Sequence, residues 1–519
     1  VDLVLDADGD GALSPGDVRD AGALGEGLQL VADLAGPGPW PVATADVSGG
    51  DWLGQRVWWP EGHPAGAPLV VVSHGNGHDY TWYDYLGEHL ASWGFVVMSH
   101  QNQTQPGIES ASTTTLANTE WFLAEGASVA GTPIVDARSI GWIGHSRGGE
   151  GVVRAYARLR EGEFVPEQFA AEDVRVIASI APTVFYEVDV SDPHDVRFHL
   201  LAGSADGDVT GQPGYPEALS FRLLAAAEGD SSSTYLYGAS HEDFNCCGYD
   251  DGDGPDQLDR EVVHALAKAH LLAVMADGLL EAPAARGVLA ADPARLPLTD
   301  AGAVVISTWK PVEALIIDDF QATPDPLRAS SGAPVTTDVE ELYEASLADL
   351  DGLLAWSEAD PMNGMTEVAY PSDDARGVVF GWQQEASYAY ELPSSVSDWS
   401  GRRWLSFRAC QGTRHPYTVE LDGPLDLSVT LVDGAGVAVT VPAAIETSIA
   451  PSYQRRGRGT GDGRGWVNAW STVRLPLDDF RVGGVPLDLA DIRELRFELG
   501  GAGDAPLGRL GLDDIRVEP

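Results

Sequence analysis

A run of apolar residues, Ser139-Ile140-Gly141-Trp142-Ile143, ends at Gly144-His145-Ser146-Arg147-Gly148-Gly149 and passes at once into a helical stretch. A strand that turns straight into a helix across small residues fits few folds. The helix must pack back over the sheet it has just left, which favours a neighbouring strand running the same way. The same alternation continues from Pro41 to Ala276. PLVVVSH, GFVVMSHQ, SIGWIGHS, VRVIASIAP, VRFHLLAGS and SSTYLYGAS are short apolar runs with polar or Gly-rich tips. Amphipathic stretches such as GGEGVVRAYARLR lie between them, and EVVHALAKAHLLAVMADGLL is the clearest helix. The pattern predicts an α/β domain, a mostly parallel sheet doubly wound by helices.

The texture changes further on. Residues 281–312 are rich in Ala, Pro and Arg and read as a linker, and 313–519 read as closely spaced strands with no long helical pattern. That predicts an antiparallel all-β sandwich. The expected organisation is therefore an N-terminal segment (1–36), an α/β domain (37–280), the linker and the sandwich. With 31 basic and 79 acidic residues the net charge is −48. Nucleic acid and anionic membranes repel such a chain, so neither is the expected partner. A hydrophobic fraction of 44% still supplies cores, and no run of 18 apolar residues predicts a membrane span. Lys268 and Lys310 are the only lysines. A Lys-poor acidic surface fits a halophilic protein, and GC-rich coding bias gives the same composition. A removed signal peptide would leave a start such as Val1, as would recombinant truncation; the expectation is a secreted, extracellular protein.

The segment DADGDGALSPGD, Asp6 to Asp17, has the spacing of an EF-hand loop. Asp6, Asp8 and Asp10 take positions 1, 3 and 5, Ala12 offers its carbonyl at 7, Ser14 stands at 9 and Asp17 at 12. Oxygens so spaced converge on a hard cation at about 2.4 Å. The prediction is one structural Ca2+, with no organic cofactor.

Gly144–Gly148 is G-x-S-x-G between strand and helix, the setting of a nucleophile elbow. A Ser nucleophile needs a base and a group that orients it. Asp206 follows the run HLLAGS, with Asp208 in reserve, and His241 follows YLYGAS. Their order matches a Ser146–Asp206–His241 triad. The expected oxyanion donors are the N–H groups of Arg147 and of Asn76, in the loop His74-Gly75-Asn76-Gly77. Tyr80 and Trp82 after that loop, and Phe185 beyond the elbow, are candidates to wall a substrate pocket. Ser in place of Asp at the elbow disfavours dehalogenase or epoxide hydrolase chemistry.

From Pro41 to about Ala276 the chain resembles the α/β-hydrolase superfamily. It is most similar to the branch of dienelactone hydrolases, platelet-activating-factor acetylhydrolases, cutinase-like polyester hydrolases and chlorophyllases. The resemblance rests on GPWPVATADV, HGNG, GHSRGG, the Asp206 strand end and SHEDF. It implies a serine carboxylic-ester hydrolase acting on polyester, lipid or other apolar esters. Members that attack aromatic polyesters usually carry a clamp Trp after the Ala-Pro that ends the strand beyond the elbow. This chain has Ala181-Pro182-Thr183, with Phe185 and Tyr186 a little later, so ester hydrolysis is implied and an aromatic polyester is not. The N-terminal loop is dockerin-like. The C-terminal region, bracketed by Ile317-Asp318-Asp319-Phe320 and Leu512-Asp513-Asp514-Ile515, resembles jelly-roll carbohydrate-binding modules. Such a module would hold the enzyme on a carbohydrate or polymer surface through Trp356, Trp382, Trp399, Trp466 or Trp470, or through Arg455, Arg456, Arg458 and Arg464. The alternatives are a carbohydrate esterase (acetyl or feruloyl), and a binding or adhesion protein with an inactive hydrolase domain. Cys246 and Cys247 bond to each other, bond one of them to Cys410, or stay reduced; Asp250, Asp251, Asp253 and Asp256 form a second acidic loop.

Overall fold

The computed structural model describes residues 4–5, 18–19, 33–103, 107–186, 188–209, 220–249, 252, 257–290, 303–321, 324–347, 355–362, 364–365, 376–443, 449–454, 466–468, 470–482 and 484–519. The predicted calcium ligands Asp6, Asp8, Asp10, Ala12 and Asp17 lie outside these residues, as do the four aspartates of the second acidic loop and Arg455, Arg456, Arg458 and Arg464. The chain divides into two compact units, Val31–Lys310 and Val1–Leu30 with Pro311–Pro519.

The first unit is α/β. Its strands are β1 (Val42–Ser48), β2 (Gly54–Pro60), β3 (Ala67–Ser73), β4 (Val96–His100), β5 (Val135–His145), β6 (Val174–Ile180), β7 (Arg197–Gly203), β8 (Ser231–Leu236) and β9 (Val305–Lys310). They form one sheet in the order β9-β8-β7-β6-β5-β3-β4-β2-β1. β3 to β8 pair in parallel, and β1, β2 and β9 are antiparallel additions at the two edges. β3 and β4 are buried at every residue, which is why they read as unbroken apolar runs. The chain winds outward from β3 in both directions, so the carboxyl ends of β3 and β5 flank a topological switch point, where α/β sheets open a crevice for ligands.

Helices α1 (Asp84–Ser92), α2 (Ile108–Trp121), α3 (Arg147–Arg160), α4 (Phe221–Ala226) and α5 (Arg260–Leu280) belong to this unit. Among the described helices α5 alone is long and apolar enough to cross a bilayer. It is a core helix, for 72% of its most apolar window is buried within the protein. The stretch expected as a linker is partly structured: Pro283–Ala290 forms helix α6, and β9 pairs with β8 from Val305 opposite Leu236 to Lys310 opposite Ser231. Val305, Ile306 and Trp309 are buried there, so β9 covers an edge that β8 would otherwise leave open.

The second unit holds two antiparallel sheets. One has the order β12-β13-β20-β15-β18 with β10 also on β20; the other is β11-β14-β19-β16-β17. In chain order these are β10 (Leu315–Asp318), β11 (Val335–Thr337), β12 (Glu340–Ser346), β13 (Arg376–Trp382), β14 (Ala386–Glu391), β15 (Trp404–Gln411), β16 (Ser428–Asp433), β17 (Ala438–Pro442), β18 (Ser471–Pro476), β19 (Ile492–Leu499) and β20 (Gly508–Glu518). Alternate residues of both sheets, such as Phe407 and Phe497 in edge-to-face contact, share one core. That core answers the question of the tryptophans in part. Trp382, Trp399 and Trp470 are fully buried and cannot stack on an external ligand. Trp356 is half-buried against His415, and the side chain of Trp466 lies outside the described residues.

Candidate active site

Ser146 stands between the last residue of β5 and the first of α3. Its φ of 57° and ψ of −125° are rare for a residue with a Cβ, and the strain is held by close packing on both sides. A Cβ on Gly148 would come within 2.3 Å of the Ser73 carbonyl oxygen, so only glycine lets α3 start this close to β3. Ser146 N–H donates to the Ile180 carbonyl at 2.9 Å, tying the turn to the end of β6. The residue is 3% exposed.

The loop after β3 crosses directly over this turn. A Cβ on Gly75 would lie 2.7 Å from the Ser146 Cβ, so the main chain that carries Asn76 abuts Ser146. His74 anchors that loop. Its Nδ1 bonds the Gly75 carbonyl at 2.9 Å and its Nε2 accepts the Asn102 N–H at 2.8 Å. Burial pushes His74 down to about 4, so it stays neutral and keeps both bonds at neutral pH. Arg147 is the first residue of α3, where a helix directs N–H groups toward its N-terminal end.

Asp206 and His241 come from loops at the ends of the neighbouring strands β7 and β8. His241 Nδ1 lies 2.9 Å from Asp206 Oδ2. The other carboxylate oxygen, Oδ1, accepts the N–H groups of Asp208 and Val209 at 2.9 and 2.7 Å, which fixes the carboxylate plane. Asp208, the reserve candidate, is on the opposite side of the imidazole. Its carboxylate is 65% exposed and 3.7 Å from His241 Nε2.

The aromatic candidates separate. Phe185 is 46% exposed and lies under the Arg147 guanidinium, 5.3 Å from ring centroid to Cζ. Trp82 is half-buried, stacks on His78 at 5.4 Å and accepts the Cys246 N–H through its carbonyl. Tyr80 is placed toward the β1–β2 edge, where burial and the nearby Asp46 and Asp79 carboxylates raise its phenol against the opposing charge of Arg56. Thr183, where the clamp Trp would stand, is 5% exposed and donates to Glu150.

Several residues here carry no local sequence signal. Glu150, on α3, is completely buried, and its carboxylate accepts from Thr183 Oγ1, Phe185 N–H and Tyr186 N–H, each at 2.7 Å, and from Ser191 Oγ at 3.2 Å. Desolvation raises its pKa, and those four donors oppose the rise. It thus anchors the loop that bears Phe185. Behind the site, His78 and Tyr83 from the segment after β3, His145 from the end of β5, and Glu242 and Asn245 from the segment after β8 form a polar cluster. Cys246 and Cys247 are bonded to each other in the loop after His241, so neither reaches Cys410, which is buried beside Met365 Sδ at 3.7 Å. Among the described residues no group of three or more His, Cys, Asp or Glu is arranged to hold a metal.

A family model described as PET hydrolase-like matches residues 30–167. The match takes in the Asn76 loop and the Gly144–Gly148 turn and stops before Thr183, Asp206 and His241. It supports an ester- or polyester-hydrolysing chain. No curated protein matches the chain.

Proposed function

We propose that the α/β unit is a serine carboxylic-ester hydrolase of the α/β-hydrolase type. One observation carries the reading: a strained serine at the end of β5 shares the sheet's carboxyl edge with an Asp206–His241 pair at 2.9 Å from the ends of β7 and β8. His241 Nε2 takes the proton of Ser146 Oγ as that oxygen attacks the ester carbonyl. Asp206 holds the Nδ1–H tautomer and stabilises the imidazolium. The N–H groups of Asn76 and Arg147 take the charge that develops on the carbonyl oxygen. His241 then gives its proton to the leaving alkoxide, and water repeats the sequence on the acyl-enzyme to release the acid and restore Ser146. Phe185, with Arg147 over its ring, offers an exposed apolar face at the lip of the site, which suits an apolar or polymeric ester.

Three further features belong to the proposal. Ca2+ at Asp6, Asp8, Asp10, Ala12 and Asp17 serves structure and no step of the reaction. The Cys246–Cys247 bond suits an oxidising, extracellular setting. The two-sheet unit acts as an appended jelly-roll module that holds the enzyme on a carbohydrate or polymer surface. The test of the reading is labelling with a fluorophosphonate. Covalent modification of Ser146, lost in Ser146→Ala, is expected, and a folded wild type that takes no label excludes the serine mechanism.

A further inference from the structure

We propose that Glu242, His78, Tyr83 and His145 form one buried hydrogen-bonded chain that positions the nucleophile, the base and the oxyanion loop relative to one another. The proposal rests on the esterase reading above. Its basis is where these four residues sit along the chain. His145 precedes Ser146, Glu242 follows His241, and His78 stands two residues after Asn76. The segments that carry the nucleophile, the base and the oxyanion donor therefore each contribute a member.

The geometry is continuous. Glu242 Oε1 lies 3.2 Å from His78 Nε2, His78 Nδ1 lies 3.0 Å from the Tyr83 hydroxyl, and that hydroxyl lies 3.0 Å from His145 Nδ1. All four side chains are buried. A carboxylate only accepts, so His78 Nε2 carries a proton. With His78 neutral, its Nδ1 accepts from Tyr83 and the phenol oxygen accepts from His145. With His78 protonated, the last two bonds reverse and the chain is still complete. Burial raises the Tyr83 phenol and lowers His145, so the phenol keeps its proton and His145 stays neutral.

The outer end is clasped as well. Asn245 Nδ2 donates to Glu242 Oε2 at 2.5 Å, while its Oδ1 accepts the N–H groups of Cys247 and Gly248 at 2.8 and 2.7 Å. The bonded cysteine pair thereby fixes the residue that fixes Glu242. At the inner end the His145 ring is 4.7 Å from that of His241. These are positioning residues, because none is placed to touch the reacting atoms, yet a shift of about 1 Å in the groups they hold would cost about 100-fold in rate.

The test is hydrolysis of p-nitrophenyl butyrate by wild type, Tyr83→Phe, Glu242→Gln, the double variant and Ser146→Ala, with Tm measured for each. Each single variant is expected to lower kcat by about 10- to 100-fold with KM within about threefold of wild type. The double variant should lose no more than the worse single one, because one break severs the chain. Glu242→Gln should also move the acid limb of kcat/KM to lower pH. Among the described residues, the titratable groups facing His241 include the carboxylates of Asp206, Asp208 and Glu242 and the neutral His145 ring, and loss of one anion disfavours the His241 imidazolium. Wild-type kcat with losses confined to Tm, or losses that multiply in the double variant, would overturn the proposal. If Tyr83→Phe does not fold, Glu242→Gln decides by its kcat and pH limb. Turnover that survives Ser146→Ala would instead contradict the esterase reading and, with it, this chain's role.

Discussion

The Thr183 hydroxyl donates to the buried Glu150 carboxylate across 2.7 Å, so the position that follows Ala181-Pro182, where the resemblance to aromatic-polyester hydrolases would put a clamp tryptophan, is here part of an internal anchor. The exposed aromatic of that loop is Phe185, two residues on. Glu150→Ala would orphan four donors and should destabilise the protein by on the order of 3 kcal/mol, read from thermal or denaturant unfolding. Phe185→Ala should leave stability nearly unchanged and raise KM for long-chain or aromatic esters several-fold. Equal KM values in wild type and variant would remove Phe185 from the substrate site.

Asp206 and Asp208 flank the same imidazole but should behave differently. Asp206→Asn leaves the shape intact and spoils the tautomer of His241, so kcat should drop by about 10³- to 10⁴-fold. Asp208→Asn, at an exposed carboxylate 3.7 Å from Nε2, should change kcat by less than about tenfold. The reverse ranking in steady-state kinetics would reassign the acid.

The two units should respond to pH with opposite sign. In the α/β unit, burial pushes His74 and His89 down to about 4 and His100 and His199 down to about 3, and lowers His145 and His270 as well. Unfolded, each titrates near 6.5. Between that pH and the folded value the unfolded chain binds more protons, so stability is full above about 6.5 and falls as the pH falls. In the β unit His415, which burial lowers to about 4, pulls the same way as those histidines, but burial raises the carboxyls of Asp318 to about 6, of Glu344 to about 7, and of Asp513 well above the carboxylate range. Those carboxyls bind protons more readily when folded. Their contribution is full below about 4 and is lost as the pH rises through 6 to 7. Scanning calorimetry from pH 8 to pH 5 should move one transition down and the other up. Two transitions that fall together would contradict the assignment.

Calcium should act on stability and not on chemistry. Chelation is expected to lower Tm by several degrees and leave kcat of the remaining folded enzyme unchanged, and Asp8→Ala should abolish that sensitivity. A Tm indifferent to both calcium and chelator would argue against the Asp6–Asp17 site.

Much of this site was legible in the sequence because its parts are local. The apolar runs are strands buried on both faces, and the glycines of the elbow advertise a turn that only they permit. Asp206 and His241 each stand a few residues past a strand, where the parallel sheet delivers its loops. What the sequence did not disclose depends on distant pairings. His78 and Glu242 are 164 positions apart, and no periodicity relates two polar side chains that meet behind the carboxyl edge of a sheet. Both His78 and His145 are poor bases by position, and the structure gives them to the hydrogen-bonded cluster instead. Val305–Lys310 follows Ala- and Pro-rich text, and its pairing with β8 is a tertiary choice made by an open edge. Three of the five tryptophans offered as ligand platforms, Trp382, Trp399 and Trp470, are core, as area burial favours for so large an apolar side chain.

The most direct measurement is a p-nitrophenyl ester series from acetate to palmitate on wild type and Ser146→Ala, in high salt with calcium. The account predicts turnover by wild type that is lost in Ser146→Ala, with the preferred chain length separating acetyl-ester chemistry from lipid or polyester chemistry. No turnover across the series by folded wild type, or turnover undiminished in Ser146→Ala, would contradict it.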